Sequence, residues 1–298
     1  MSVRLGVRIP CVGDPVTSPG VARIAREAES WGVDTIWVND HLVMPRKIRS
    51  RYPFSEDGVA WWTPEAPWYE SLTVAAFVAA QTTTVEVGTA VLVLPQRNVL
   101  EVAKVIATLH ALSEGRFVLG VGAGWLAEEM EALGYSSAKR GRRFEEMIHV
   151  LRDCWTGAPT QFDGDEIQVP AGLAMFPRPA SPSDIPVMIG GMTSRAIKRA
   201  AETGDGWVAF SKGHEVTGSA ELAEKLAALD RLRDAAGRGA DRFRSVLCLV
   251  TPADRKSDLP NAARAAQDMG FDEIAVDPPW DDLKLARQLV LEARRATS

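Results

Sequence analysis

The strongest constraint on the fold is an alternation that runs along the whole sequence. Short apolar segments rich in β-branched residues, such as residues 85–94, are followed by longer segments whose apolar residues recur with helical spacing, such as residues 142–155. Uninterrupted apolar runs are typical of parallel strands that helices cover on both faces. The predicted strands are residues 3–10, 33–38, 85–94, 116–125, 186–191, 206–210, 245–250 and 273–276.

These eight strand–helix units predict an α/β fold in which residues 1–298 form a single (β/α)8 TIM barrel. The length of 298 residues suits such a barrel, which typically needs about 250. A doubly wound open sheet is the alternative, but the first strand is not followed by the Gly-x-Gly-x-x-Gly turn of that fold. Residues 157–186, rich in Pro, Gly and Asp, are interpreted as an excursion before the fifth strand; the alternative is a boundary between two domains.

An irregular segment also follows the second predicted strand. Its roughly thirty residues lack clear periodicity, and loops of that length are uncommon in compact domains unless they bind something or are disordered. The aromatic content argues against disorder. We expect an insertion over the barrel mouth that binds a ligand or only packs there. Its aromatic residues are Tyr52, Phe54, Trp61, Trp62, Trp68 and Tyr69.

Composition excludes several functional classes. The net charge of -5 and the absence of like-charge runs argue against nucleic acid or an anionic membrane surface as partners. Cys11, Cys154 and Cys248 are too far apart in sequence to indicate a disulfide framework or a zinc site, and no other metal site is expected. No signal peptide or membrane-spanning run is visible, which predicts a cytoplasmic protein.

The carboxyl ends of barrel strands carry the functional groups of this fold, so residues there are candidates for a site. Gly122, Ala123 and Gly124 end the fourth strand and would let a ligand approach the backbone closely. The alternative is that the glycines only relieve crowding between packed strands.

The fifth strand runs straight into a helix, where free backbone amides and the positive end of the helix dipole can bind an anion such as phosphate. An ordinary N-cap made by Thr193 or Ser194 is the alternative. The predicted phosphate site comprises Gly190, Gly191, Met192, Thr193 and Ser194.

At the end of the second strand, Asp40 and His41 form a candidate acid–base pair. A histidine can move a proton near neutral pH, and a neighbouring carboxylate can fix its tautomer or raise its pKa. The alternative is a purely structural histidine. Neither a Gly-x-Ser-x-Gly elbow nor a buried strand lysine is visible, so hydrolase and aldolase chemistry lack a nucleophile.

Together, these motifs resemble the bacterial luciferase-like superfamily and, more narrowly, its oxidoreductases that use the deazaflavin coenzyme F420. The likeness covers nearly the whole chain. It is carried by residues 37–41, 88–95, 112–116, 122–125, 132–134, 140–143 and 204–207.

The resemblance implies a (β/α)8 barrel that binds the cofactor ring in its mouth. It also implies a bulge with a non-proline cis peptide behind the ring, which here corresponds to Ala90 and Val91. Residues 190–194 would bind the cofactor phosphate, and residues 122–124 would lie along the cofactor. Asp40 and His41 would lie against the reactive ring, with hydride passing between the deazaflavin and an organic substrate while His41 gives or takes a proton.

Two departures from the pattern bear on the substrate. Sugar-phosphate dehydrogenases of this group have a glutamate where this chain has Trp125, and a basic residue near the last strand where it has residues 278–280. Lys212 alone remains as a phosphate clamp, which favours an apolar or aromatic substrate over glucose 6-phosphate. The predicted substrate pocket is Trp61, Trp62, Trp68, Trp125, Lys212 and Trp280, the first three as a lid.

Three other functions stay open. The closest is an FMN-dependent monooxygenase of the same superfamily; the others are a catalytically silent flavin-binding protein and a redox-free isomerase or lyase. Asp40 and His41 favour F420, as would a basic track for the coenzyme's polyglutamate tail. Homodimers are common among such proteins and are expected here. The candidate track residues are Lys139, Arg140, Arg142, Arg143 and Arg195.

Overall fold

Eight parallel strands close into a barrel in the computed structural model of the chain, which describes residues 3–251 and 253–297. Each strand pairs with the next along the chain, and the eighth pairs with the first. The predicted TIM barrel is therefore confirmed, and the open sheet is excluded. The barrel strands, first to eighth, are Arg4–Ile9, Thr35–Val38, Glu86–Thr89, Phe117–Gly122, Val187–Gly190, Gly206–Ser211, Arg244–Leu249 and Glu273–Val276.

Helices pack around the barrel, and no helix in the described ranges is long and apolar enough to cross a membrane. The short helix α4 was not predicted, because six residues are too few to show a period. The excursion before the fifth strand contains a small antiparallel hairpin, Phe162–Asp163 with Gln168–Val169. The helices are α1 (Val21–Ser30), α2 (Ser71–Gln81), α3 (Val99–Leu112), α4 (Ala127–Ala132), α5 (Arg140–Cys154), α6 (Ser194–Thr203), α7 (Ala220–Ala235), α8 (Leu259–Asp268) and α9 (Leu283–Ala296).

One large side chain fills the middle of the barrel. Trp37 is 1% exposed, and a Cβ built on Gly6 would lie 2.9 Å from its Nε1. A Cβ on Gly88 would overlap its six-membered ring. Glycines on the two neighbouring strands thus make room for the indole, which packs with a small inner core of Val118, Met188, Val208, Val246 and Ala275. Because the interior is packed up to this level, open space remains only above it, at the carboxyl ends of the strands.

Below Trp37, an ion-pair network closes the amino-terminal end of the barrel. Glu273 is fully buried and accepts a 2.7 Å hydrogen bond from the Trp37 indole. Its other oxygen lies 3.3 Å from Arg4 and 3.4 Å from Arg244, and both arginines also pair with Glu86 at 2.7 Å. The buried carboxylate is therefore balanced by two guanidinium groups and an indole donor.

The aromatic insertion after the second strand is fastened to α4. Glu128 accepts hydrogen bonds from the backbone amides of Arg49 and Ser50 and from the Ser50 hydroxyl, at 2.7–3.1 Å. These bonds oppose the effect of burial and lower the pKa of Glu128 from 4.5 to about 2. At its other end, the insertion meets the segment after the first strand through the bridge between Val12 and Trp68. The insertion is thus an ordered part of the barrel mouth.

The network at the barrel base predicts a large stability effect. Glu273→Ala should lower the free energy of unfolding by about 3–5 kcal/mol, because it leaves the arginines without one of their two carboxylates and the Trp37 indole without its acceptor. Chemical denaturation monitored by circular dichroism measures the change. Glu86→Gln, which changes a carboxylate that is 31% exposed, is the control and should cost clearly less. Equal losses for both variants would contradict this account.

Loss of the Glu128 anchor should loosen the insertion without unfolding the barrel. Glu128→Gln should speed amide exchange in residues 44–54 about 5- to 30-fold at neutral pH, since bonds to a charged acceptor are lost. Because the folded-state pKa is depressed, this stabilisation is complete above about pH 4.5 and is lost as the pH falls towards about 2. Hydrogen exchange with mass spectrometry measures both effects.

A carboxylate within the insertion itself provides the control for that experiment. The side chain of Glu65 is 61% exposed and pairs only with Arg46 at the surface. Glu65→Gln should therefore leave the exchange of residues 44–54 unchanged at every pH. The same acceleration in both variants would mean that Glu128 is not the anchor.

Candidate active site

A cavity of about 2940 Å³ opens at the carboxyl ends of the strands, beneath the insertion. It brings together nearly all of the residues predicted from the sequence. Ser194 is the exception and is not among the lining residues. The described residues contain no cluster of histidine, cysteine and carboxylate side chains that could hold a metal ion. The predicted residues that line the cavity are Asp40, His41, Trp61, Trp62, Trp68, Ala90, Val91, Gly122, Ala123, Gly124, Trp125, Gly190, Gly191, Met192, Thr193, Lys212 and Trp280.

The third strand ends in a bulge at the cavity wall. The peptide bond between Ala90 and Val91 is cis, as the resemblance implies, and pairing with the fourth strand resumes at Leu92 and Val93. The predicted single strand 85–94 is therefore interrupted at this point. Just before the bulge, the Thr89 hydroxyl forms two hydrogen bonds with Gly120 of the fourth strand. It donates one to the Gly120 carbonyl and accepts the other from the Gly120 amide.

The glycines at the strand ends lie against the side chains of the bulge. A Cβ on Gly122 would lie 2.6 Å from Val91 Cγ2, and one on Gly190 would lie 2.5 Å from Val91 Cγ1. At Gly124, a Cβ would lie 2.6 Å from Val93 Cγ1. These glycines make room for the side chains of the bulge, so the relief of crowding that was set out as the alternative is real. Contact with a cofactor at these positions stays a prediction.

Asp40 does not contact His41, so the expectation that it orients the histidine is wrong. Its Oδ1 accepts from the Ser71 hydroxyl at 2.8 Å and from Arg97 at 2.7 Å, and its Oδ2 accepts from the Val93 amide at 2.8 Å. Burial raises the pKa of Asp40, while the Arg97 guanidinium opposes that rise. Asp40 turns away from its neighbour and joins the second strand to the bulge and to α2.

Glu129 on α4 takes the role expected of Asp40. Its Oε2 lies 2.7 Å from His41 Nδ1, and its Oε1 accepts from the amides of Leu42 and Val43. Glu129 is 1% exposed and His41 is 6% exposed. An ionised carboxylate only accepts, so Nδ1 carries a proton and Nε2 is the nitrogen left for chemistry. Because His41 lines the cavity and Nε2 has no partner among the described residues, this nitrogen is available to a bound ligand.

Aromatic side chains surround His41. The Trp68 ring centroid lies 4.7 Å from that of His41, and the Trp62 and Trp125 centroids lie 5.8 Å and 5.9 Å away. Tyr52 joins this wall through an edge contact with Trp125 at 5.2 Å. The wall makes the mouth of the barrel apolar on the histidine side.

Two tryptophans of the predicted substrate pocket, Trp61 and Trp280, do not belong to the group of rings around His41. Trp61 is 70% exposed and contacts Trp62 of the wall, so it forms the outer rim. Trp280 is 3% exposed, stacks on Trp31 at 5.7 Å and donates to the carbonyl of Arg8 at 2.7 Å. Packing therefore fixes Trp280 in place.

The predicted phosphate segment forms the start of α6. The Thr193 side chain accepts from the Ala196 amide at 3.2 Å, so the N-cap alternative is correct for this residue. Gly191 has a φ of 129°, which favours glycine, and its carbonyl accepts from the Trp207 indole at 2.9 Å. With only one amide of the first turn capped by a side chain, this helix start can still offer amides to an anion.

The proposed basic track is largely engaged with the protein itself. Arg143 donates to three backbone carbonyls, those of Pro95, Arg97 and Glu166, and is a structural residue. Lys139 pairs with Glu166 at 2.8 Å, and Arg142 pairs with Asp165. In the described ranges, Arg140, Arg143 and Arg195 form no ion pair with a carboxylate. Because backbone carbonyls already bind Arg143, Arg140 and Arg195 are the track residues left for a ligand.

Three residues that shape the site were not predicted from the sequence: Glu129, Glu128 and Arg97. Two adjacent glutamates shortly after the fourth strand were a usable signal, because such positions lie near the barrel mouth. Their partners are distant in sequence, so the pairing itself was not visible.

Comparison with known proteins identifies the family. The model of the family described as luciferase-like monooxygenase matches residues 12–258. An uncharacterized protein of Mycobacterium tuberculosis is 34% identical over 215 residues, which are 72% of this chain and 72% of that protein. An F420-dependent glucose-6-phosphate dehydrogenase of Amycolatopsis mediterranei is 32% identical over 197 residues, 64% of this chain and 54% of that enzyme.

Solved structures show the same fold at low sequence identity. An F420-dependent secondary alcohol dehydrogenase in complex with an F420-acetone adduct has a TM-score of 0.78 and 16% identity, with all of both chains covered. The oxygenating constituent of 3,6-diketocamphane monooxygenase from Pseudomonas putida, in complex with FMN, has a TM-score of 0.73 and 16% identity, with 100% of this chain and 98% of that chain covered. With the family match spanning most of the sequence, the chain belongs to the luciferase-like monooxygenase family of enzymes.

Proposed function

We propose that this protein is an oxidoreductase that transfers a hydride between the deazaflavin coenzyme F420 and a small organic substrate. His41 serves as the proton donor or acceptor. The observation that carries the proposal is the His41–Glu129 pair, which lies in the same cavity as the bulge and leaves one histidine nitrogen open to a ligand. Names of similar proteins support it, since a sequence relative and a structural neighbour are F420-dependent dehydrogenases.

The described residues fit this coenzyme. The start of α6 would hold its phosphate, with Arg140 and Arg195 beside it as cations that no carboxylate neutralises. Arg199 of α6 bonds Glu145 of α5 at 2.6 Å, so these two helices are adjacent, and Arg140 and Arg195 line the same cavity. The ring would lie against the bulge at Ala90 and Val91. Bound there, the coenzyme supplies a carbon that accepts or donates hydride.

The protein supplies the proton that must accompany the hydride. Reduction of a carbonyl, for example, adds a hydride to carbon and a proton to oxygen, and the reverse reaction removes both. Nε2 of His41 can give or take that proton because Glu129 holds the other nitrogen and fixes the ring. The aromatic wall keeps water away from the reacting atoms. The substrate is proposed to be apolar or aromatic, to match this wall.

An FMN-dependent monooxygenase is the second candidate, because one structural neighbour with the same barrel holds FMN. The phosphate site at α6 suits either cofactor. The open nitrogen of His41 favours hydride transfer coupled to a proton over oxygen insertion. Action in the cytoplasm, assembly as a homodimer and the lack of nucleic-acid or membrane partners stay predictions from the sequence.

Fluorescence titration with both cofactors tests the assignment. We expect F420 to bind with a micromolar dissociation constant and FMN to bind much more weakly. Arg195→Gln should weaken F420 binding about 3- to 10-fold by removing a cation beside the phosphate. Arg231→Gln, an exposed arginine on α7, is the matched control and should change nothing. Micromolar binding of FMN without binding of F420 would overturn the proposal.

The proton role has its own test, and the NMR part of this test needs no substrate. In the wild type, nitrogen-15 NMR of labelled histidine should show the proton of neutral His41 on Nδ1, because Glu129 accepts it. Glu129→Gln replaces that acceptor with an amide that can donate, so the proton should move to Nε2 and turnover should fall by about 10²-fold or more. Glu128→Gln, the adjacent change, should leave the tautomer as it is. An unchanged tautomer in Glu129→Gln would refute this role of Glu129.

A further inference from the structure

Arg8 lies inside the barrel, at the floor of the cavity. Along the first strand, Leu5, Val7 and Ile9 belong to the core between barrel and helices. Gly6 lies on the opposite face, because a Cβ there would meet Trp37 and Glu273 inside the barrel. Side chains alternate along a strand, so Arg8 points inwards one layer above Gly6. Arg8 lines the cavity that contains His41.

No described carboxylate forms an ion pair with the guanidinium of Arg8. Within the described ranges, most cations that line the cavity have a carboxylate partner, and the exceptions are Arg8, Arg140 and Arg195. Arg140 and Arg195 lie at the starts of α5 and α6, where the cofactor phosphate is proposed to bind, whereas Arg8 belongs to the first strand. The paired cations are Lys139, Arg142, Lys198, Arg199, Lys212, Arg255 and Lys256.

The carboxylate at the end of the neighbouring strand does not neutralise Arg8. Asp277 follows the eighth strand, and its Oδ2 and carbonyl accept from Lys256 at 2.8 Å and 2.6 Å. Arg8 itself makes no side-chain hydrogen bond or ion pair with any described residue. It is therefore an uncompensated, half-buried charge in the cavity.

Uncharged groups lie close to Arg8, together with the Asp277 carboxylate that Lys256 already binds. Burial raises the pKa of Tyr52 and raises that of Cys248 to about 12, and the positive charge of Arg8 opposes both rises. Arg8 is thus within electrostatic reach of the aromatic insertion on one side and of the seventh strand on the other. A guanidinium without a partner among such groups is costly unless a ligand supplies the anion.

We propose that Arg8 binds a carboxylate of the substrate, so that the substrates are small aromatic or apolar carboxylic acids whose reacting carbon lies beside His41. The proposal rests on the proposed function for the position of the reacting carbon. A planar guanidinium fork matches a carboxylate with two parallel hydrogen bonds. The carboxylate is a handle that orients the substrate and takes no part in the bond changes. A phosphate dianion is less suited, because Lys212 and Lys256 in this part of the cavity already have carboxylate partners.

Binding of a matched pair of probes tests the proposal. Benzoate and benzamide have nearly the same shape, but only benzoate is charged. Titration calorimetry should show that the wild type binds benzoate about tenfold or more tightly than benzamide, and that Arg8→Gln removes this preference. Arg255→Gln, which removes a lining arginine that pairs with Asp258, should keep it. Phenyl phosphate, run alongside, should bind less tightly than benzoate.

A second variant and a second measurement separate ligand binding from a structural role. Arg8→Lys keeps the charge but loses the planar fork, so it should retain only part of the preference. Because the Arg8 side chain has no hydrogen-bond or ion-pair partner among the described residues, Arg8→Gln should not lower the thermal unfolding temperature. A clear drop would show that the arginine is structural and would overturn the proposal.

The titrations are run with and without F420, so that the two proposals can fail separately. If F420 does not bind but the benzoate preference depends on Arg8, the proposed function fails and the carboxylate site stands. If the wild type shows no preference, if Arg8→Gln retains it, or if phenyl phosphate is preferred, the carboxylate site is wrong. It is also wrong if Arg8→Gln weakens F420 and leaves benzoate unchanged, since Arg8 would then contact the cofactor.

Discussion

The shape of the barrel mouth depends on how the bulge of the third strand packs against its neighbours. Val91 fits only because the fourth and fifth strands carry glycine opposite its two methyl groups, at Gly122 and Gly190. The bulge is also tied to the second strand, because Asp40 accepts from the Val93 amide. Since Asp40 directly precedes His41, one carboxylate sets the position of the histidine relative to the bulge. A side chain larger than hydrogen at Gly122 or Gly190 would therefore disturb the proposed cofactor wall and the acid–base residue together.

Helix α4 adds the second constraint on the same histidine. Glu129 fixes the ring of His41, and the adjacent Glu128 fastens the aromatic insertion that packs around it. Neighbouring residues of one short helix thus hold both His41, the proposed proton carrier, and the insertion that supplies much of the aromatic wall around it. A displacement of α4 would therefore disturb the orientation of the histidine and the position of the aromatic insertion together.

The sequence predicted the barrel and the strand ends well, because strand and helix periods are local signals and the fold places all strand ends on one face. It misassigned the partner of His41 for a physical reason. Adjacency in sequence favoured Asp40, but consecutive residues leaving a strand point in different directions, and the actual partner comes 88 positions later on a six-residue helix without a period. The glycines were located correctly, yet their contacts with Val91 and Val93 depend on a bulge whose side-chain packing no local pattern encodes.

The distribution of charge in the cavity restricts which ligands it can bind. Among the described residues, carboxylates pair with the lining cations except at two places, the starts of α5 and α6 and the floor at Arg8. Uncharged aromatic rings line the same cavity, among them Trp125 beside His41. Such a cavity complements ligands that are anionic at both ends and apolar where they meet. A phosphate-bearing cofactor and an aromatic acid satisfy that pattern together, whereas the hydroxyl groups of a sugar would lie against indoles that cannot accept hydrogen bonds.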